Sequence, residues 1–215
     1  MRRSTDPVSR SGQPRLRALD ELVALPRRSP LYPELARALG AAGRLHLLLT
    51  DLTPVPVRPT SARVRSGCYR SLDGDPVDLR ISARSGSVPL SFLHELGHLV
   101  DHQLAAEPRA FASRGHPALK RWRAAVRRLP SRAPEHAGSS HRRYFDSFRE
   151  LWARSYAQTA LRLSGDRLLR DQLLALQRAG DPWVWPDEEF APVAAEVEAA
   201  FGRLGLLRGA VGRAA

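Results

Sequence analysis

Five consecutive residues near the middle of the chain, His94-Glu95-Leu96-Gly97-His98, have the types and spacing for metal-assisted hydrolysis. On a helix the second histidine follows the first by about 40° round the barrel and about 6 Å along the axis. Two imidazoles can then share one divalent cation, Zn²⁺ being the usual one. Glu95 projects beside it, where a carboxylate can take a proton from an activated water. The surrounding run, Ser91 to Asp101, is apolar and helix-compatible. Leu93, Leu96, Val100 and Leu104 fall at steps of three and four and supply a core-facing stripe. Ser91 is the expected N-cap. Gly97 costs a helix about 1 kcal/mol relative to Ala, so its place inside this one predicts close packing against another element.

A catalytic zinc needs a third protein ligand and an open coordination position. The metzincin extension would put Gly at 101 and His at 104; these are Asp101 and Leu104, which excludes that class. His102, one turn past His98 on the same helix, cannot wrap round the metal. His136, His141, Asp146, Glu150, Glu188 and Glu189 remain as donors from elsewhere. Glu150 is favoured because it opens a second long helix with an apolar face, which would hold it rigidly. The competing reading is a capping box, Ser147-x-x-Glu150, with Glu150 turned back on the backbone. His141 and Asp146 stay open as alternatives.

Leu93 to Asp101, taken with Glu150-Leu151-Trp152-Ala153-Arg154-Ser155-Tyr156-Ala157-Gln158, resembles the paired motifs of gluzincin-type metallopeptidases. The group related to the catalytic domain of anthrax lethal factor, with similar bacterial and phage peptidases, is the nearest. The closing Trp185-Pro186-Asp187-Glu188-Glu189-Phe190-Ala191-Pro192 resembles the C-terminal segment of the phage-type proteins. The resemblance spans about residues 60–205. It implies an α+β, mostly helical zincin-like domain with a small N-terminal β-sheet before the motif helix. It implies zinc ligands His94, His98 and Glu150, Glu95 as general base, and Tyr144 as the phenol that stabilises an oxyanion. The strand just before the motif helix, at 77–82, is then expected to form the cleft edge and pair with extended substrate. The pattern is broken at position 154, an Arg where an acidic residue often stands. Asp101, seven residues after His94 and on nearly the same face, is the expected acceptor for an imidazole N–H.

The elements that must position these groups are legible in outline. Leu31, Leu35 and Leu39 predict a short helix over 31–43, stopped near Gly40 and Gly43. Residues 44–50 read as a buried strand containing a structural His46. Residues 62–82 read as paired strands about the turn at Leu72-Asp73-Gly74-Asp75-Pro76, with Val64 and Tyr69 before it and Val77, Leu79 and Ile81 after. Cys68 is expected as a small buried hydrophobe. A basic helix over 117–129, a loop over 130–143, helices at 147–163 and 166–179, and a last helix from about Pro192 follow. Phe148, Leu151, Trp152, Ser155, Thr159 and Leu163 should form the buried stripe of the 147–163 helix. Trp183 and Trp185 are expected to plug the core. Residues 1–28 read as a mobile basic arm, 29–207 as one domain and 208–215 as a fraying tail.

Composition narrows the classes. The 215 residues suit one domain, and 43% hydrophobic content allows a real core. Mean hydropathy of -0.34 and the lack of a long apolar run speak against a membrane span. One cysteine excludes an internal disulfide framework or a Cys-based zinc site. No apolar secretory segment is visible, so cytoplasmic residence is the default, with export by a signal-less route left open. Net charge is +12, carried by 33 Arg and one Lys among the 34 basic residues. Residues 102–149 hold ten Arg and Lys120 against Glu107, Glu135 and Asp146, while 181–200 hold six acidic residues and no base. The basic stretch beside the motif could select a peptide substrate or bind another acidic partner. A nucleic-acid-associated accessory protein and a non-catalytic peptidase-like interaction domain are the rival expectations.

Overall fold

In a computed structural model the described residues are 10–62, 66–134 and 138–207. The chain begins with β1 (Arg10–Arg17), a short α1 (Leu19–Leu22) and β2 (Val23–Ala24), followed by α2 (Tyr32–Leu45). Then come β3 (Leu48–Leu52), β4 (Val55–Thr60), β5 (Gly67–Leu72), β6 (Asp75–Ser82) and the motif helix α3 (Val88–Gln103). Past it lie α4 (Ala112–Gly115), a 3₁₀ turn (Pro117–Leu119), α5 (Lys120–Val126), α6 (Ser139–Phe145), α7 (Phe148–Arg162), α8 (Arg167–Arg178) and α9 (Asp187–Arg203). The class is α+β, with small sheets and a helical majority, as expected. No helix among the described residues is long and apolar enough to cross a membrane.

Two sheets precede the motif helix. β1 pairs antiparallel with β3. The second sheet has the order β2-β4-β6-β5, parallel except for β5, which runs antiparallel to β6. The hairpin turns at Asp73 (φ 53°) and Gly74 (φ 97°), where a glycine relieves the left-handed backbone. β6 is therefore an inner strand, and the expectation that residues 77–82 form the edge is corrected. The edge is β5. β4 escaped the sequence reading because prolines at 54, 56 and 59 argue against an inner strand; its Val55 and Val57 are nevertheless buried.

Residues 10–28 are not a free arm. β1 is tied to β3, and Leu19, Leu22 and Val23 are buried in the common core. Three apolar residues in an Arg- and Pro-rich segment were too few to show a period. Residues 1–9 and 208–215, like Val64 and His136, lie outside the described residues. Helix α2 runs through Gly40 and Gly43 to Leu45, because burial of Leu35, Ala38, Leu39, Ala41 and Ala42 outweighs glycine propensity. The expected strand at 44–50 is consequently split between the end of α2, His46 and β3. Part of the expected loop at 130–143 is α6, and α9 begins at Asp187, its acidic first turn complementing the helix N-terminus.

Helix α3 is the centre of the molecule. Every residue from Val88 to His102 except Ser91 is buried. It packs on α7, α2 and the β5–β6 hairpin. Helix α7 is buried on nearly all sides, with Trp152, Ala153, Arg154, Tyr156, Ala157 and Gln158 enclosed, rather than along the single stripe expected. Leu163, assigned to that stripe, is exposed beyond the helix end.

Candidate metal centre

The start of α3 is set by Ser87, not Ser91. Ser87 has an extended backbone and its hydroxyl accepts the Leu90 N–H at 3.3 Å, with Pro89 in the first turn. Starting there, the helix carries Gly97 to its crossing with α7. A Cβ on Gly97 would stand 3.0 Å from Ala153 Cα, 3.2 Å from Ala153 O and 3.2 Å from Tyr156 Cδ1. Only hydrogen fits, so the helices approach closely. The histidines flanking Gly97 on the same side then reach the first turn of α7.

Glu150 lies in that first turn. Ser147 caps it, its hydroxyl accepting the Glu150 N–H at 3.4 Å. The reciprocal half of a capping box is absent, for the Glu150 carboxylate turns to the histidines. Its Oε2 is 3.3 Å from His94 Nε2 and its Oε1 is 3.2 Å from His98 Nε2. The two imidazoles stand 4.8 Å apart and at 89° to one another. One donor atom from each residue falls within 4.8 Å of the others, and all three side chains are buried. Ligand atoms about 2.0–2.1 Å from a tetrahedral ion are about 3.3 Å apart, close to the two His–Glu separations.

The polar groups of this cluster are incompletely satisfied by protein. His98 Nδ1 and Glu150 Oε1 are buried without a hydrogen-bond partner among the described residues. Buried groups of this kind are costly; an ion between the histidines and Glu150 would complete Oε1, whereas Nδ1 is the His98 nitrogen other than the one facing Glu150. Burial pulls the His98 imidazole down to about 4, leaving it neutral with a lone pair to give. Burial opposes ionisation of Glu150, but the close approach of the His94 and His98 rings overrides it and holds the carboxyl far below the ordinary range. The two imidazoles and the carboxylate form a donor set that could hold a metal ion.

Glu95 points the other way along the helix flank, to the edge strand. Its Oε2 accepts the Tyr69 N–H at 2.6 Å. A Cβ on Gly67 would lie 2.7 Å from Glu95 Cγ and 2.8 Å from Oε1, so β5 passes the carboxylate without room for a side chain at 67. Burial raises the Glu95 pKa, against the His94 charge and the Tyr69 bond. The Tyr69 hydroxyl also meets His102 Nδ1, two turns along α3 from Glu95. The strand is thus tied to the motif helix through both the backbone and the side chain of one residue. The sequence placed Tyr69 in a strand but showed nothing of its ties to α3, and Gly67 went unremarked, although a glycine opening a strand is a usable sign.

The opposite wall comes from α6, α7 and the segment before α9. Tyr144, half exposed, has its phenol raised by burial and by the Glu150 carboxylate beside it. Trp183 does not plug the core: it is 37% exposed and presents itself edge-on to His94, ring centres 5.4 Å apart at 87°. Trp185 is buried as expected, stacked on Phe190. Arg154, buried one turn below Glu150, donates from Nη2 to Phe145 O at 2.6 Å and lies 3.8 Å over the Phe145 ring. It fixes the end of α6, and with it the residue next to Tyr144.

Several expected roles fall elsewhere. Asp101 does not receive an imidazole proton. Its two oxygens accept the Ser113 N–H and hydroxyl, each at 2.6 Å, anchoring α4, and burial raises its pKa to about 7. Helix rotation put it on the right face, but the loop after α3 claimed it first. His141 stacks on Phe145, Asp146 accepts from Ser131, and Glu188 and Glu189 are exposed on α9; none joins the cluster. Cys68 is half-buried. Comparison with family models, curated proteins and solved structures finds no match to this chain.

Proposed function

We propose that the protein is a zinc-dependent endopeptidase of gluzincin type, with His94, His98 and Glu150 as ligands and Glu95 as general base. The observation that carries this reading is the buried His94–His98–Glu150 cluster beside a second carboxylate at the free edge of a sheet. His94, His98 and Glu150 would hold the ion, and three protein donors are the number that a catalytic zinc site uses. Zn²⁺ bound there supplies Lewis acidity, lowering the pKa of coordinated water and polarising a carbonyl.

The remaining work falls to the protein. Glu95, raised by burial, takes the proton of the attacking water and returns it to the leaving amine. The Tyr69 N–H holds one carboxylate oxygen, leaving the other for proton transfer. Tyr144, kept protonated well above neutral pH, donates its O–H to the developing oxyanion. Edge strand β5 supplies a template along which an extended peptide can be registered.

The test is metal analysis together with cleavage of a peptide library by wild type and Glu95→Gln. The expected result is one zinc per chain in both proteins, with cleavage lost in the variant. Equal cleavage by the two proteins, or wild type without stoichiometric metal, would end the proposal.

A further inference from the structure

A cleft beside the first turn of α7 is lined by Arg114, Tyr144, Ser147, Phe148 and Arg149. Two of these residues adjoin the cluster: Arg149 is the sequence neighbour of Glu150, and Tyr144 is near enough for the Glu150 carboxylate to raise its phenol. Arg149 precedes Glu150 in the first turn of α7, and its positive charge is felt at Glu95, His98, Asp101 and Tyr144. Its guanidinium is held 4.2 Å over the Phe111 ring, and its Nε is buried with no hydrogen-bond partner among the described residues. Neither Arg149 nor the exposed Arg114 has an ion pair among those residues. The contrast with the sheet is direct: Arg58, Arg70 and Arg80 all converge on the buried Asp78, Arg70 bidentately at 2.6 and 2.8 Å.

We infer that this cleft binds a carboxylate, and that the substrate is a peptide with an acidic side chain near the scissile bond. The inference rests on the peptidase reading for its reaction, but not for its binding. Two guanidiniums that form no ion pair among the described residues, one pinned and half-buried next to Glu150, present the fork that a carboxylate matches. Phe148 offers no stacking platform, since it is packed under Arg127 at 4.6 Å and against Trp122.

Matched peptides carrying Glu or Gln at each position flanking the cleaved bond test this. Wild type should favour Glu about tenfold or more in kcat/KM at one position, the scale of a charge-assisted hydrogen bond. Arg149→Gln and Arg114→Gln should bring that ratio towards one, and Arg149→Lys should keep part of it. A ratio near one in wild type, or one unchanged in Arg149→Gln with its zinc retained, overturns the inference. Should Arg149→Gln fail to fold, Arg114→Gln and Arg149→Lys decide by the same ratio.

Zinc-loaded Glu95→Gln, titrated calorimetrically with the same peptides, reads binding without turnover. Selective binding of the Glu peptides without wild-type cleavage would refute the peptidase and leave the carboxylate site standing. Selectivity must survive C-terminal amidation; its disappearance would transfer the site to a chain terminus and overturn the side-chain assignment. Tight binding of an oligonucleotide without Glu/Gln discrimination would overturn it as well.

Discussion

Two buried histidine centres lie against α7, and they are finished in opposite ways. At the end of α2, His46 has no exposed surface. Its Nδ1 donates to Leu47 O at 2.7 Å, which makes Nε2 an acceptor, and Tyr156 donates its hydroxyl there at 2.9 Å. The ring stacks on Phe201 with 4.0 Å between centres. Across the helix, His98 is nearly as buried, yet its Nδ1 and the neighbouring Glu150 Oε1 find no hydrogen-bond partner among the described residues. Burial lowers both imidazoles to about 4, so neither depth nor shift separates the candidate ligand from the structural histidine. What separates them is completion. His46 is satisfied by protein alone, and the His98 centre is not.

The largest expected effect breaks the incomplete centre. Glu150→Ala should lower zinc affinity by more than the roughly 10–100-fold typical of residues that only support ligands, while circular dichroism stays native. His46→Gln should leave zinc affinity within a few-fold of wild type. Isothermal titration with Zn²⁺ measures both. Equal losses in the two variants would mean that the centres are not distinct. Removing metal from wild type should lower its melting temperature, and restoring zinc to about a thousandfold excess over Kd should return about 4 kcal/mol.

The next effect is on pH and belongs to the finished centre. His46 titrates at about 4 in the folded chain and near 6.5 when unfolded. Between those values the unfolded chain binds a proton that the folded chain refuses. Stability from the neutral ring is therefore complete above about pH 6.5 and is lost as pH falls towards 4, by up to about 3 kcal/mol. Urea melts across that window should show His46→Gln losing this share of the slope, whatever its absolute stability. An unchanged slope would show that His46 is protonated in the folded protein.

How the two centres were legible differs too. The helix period and the five-residue motif were enough to place His94, Glu95 and His98, and a strong second helix pointed to Glu150. The strain of a glycine in a good helix announced the crossing at Gly97. Local signals failed where a partner distant in sequence decided the outcome. Asp101 went to Ser113 twelve residues on, Trp183 turned from the core to the edge of His94, and Gly67 was shaped by Glu95. The N-terminal segment misled for a related reason: Leu19, Leu22 and Val23 become core only once β1 has found β3. Pairing and docking of this kind have no local period to read.

Gly97 sharpens the comparison because it serves the open centre through packing alone. Gly97→Ala must push its Cβ against the Ala153 backbone at 3.0 and 3.2 Å. Overpacking of about 1–3 kcal/mol outweighs the roughly 1 kcal/mol gained in helix propensity. The net loss should reach about 2 kcal/mol, with zinc affinity reduced as α3 and α7 separate. Gly40, inside α2 and with nothing within 4 Å of where a Cβ would stand, is the control: Gly40→Ala should stabilise by about 0.5–1 kcal/mol.

Tyr156 touches both centres, so the smallest change probes their independence. Its hydroxyl serves His46 while its ring packs on Gly97 beside the histidine motif. Tyr156→Phe keeps the ring and removes only the donor, leaving His46 Nε2 buried and unpaired. That should cost about 1–2 kcal/mol in chemical denaturation. The ring still fills the crossing, so α3 and α7 keep their separation and zinc affinity should not change. A Tyr156→Phe protein that lost zinc along with stability would show that the hydroxyl, and through it His46, helps to set the helix crossing. The two centres would then be one cooperative unit. Loss of stability with zinc retained means that the finished centre holds the fold while the open one, sharing a helix with it, is free for chemistry.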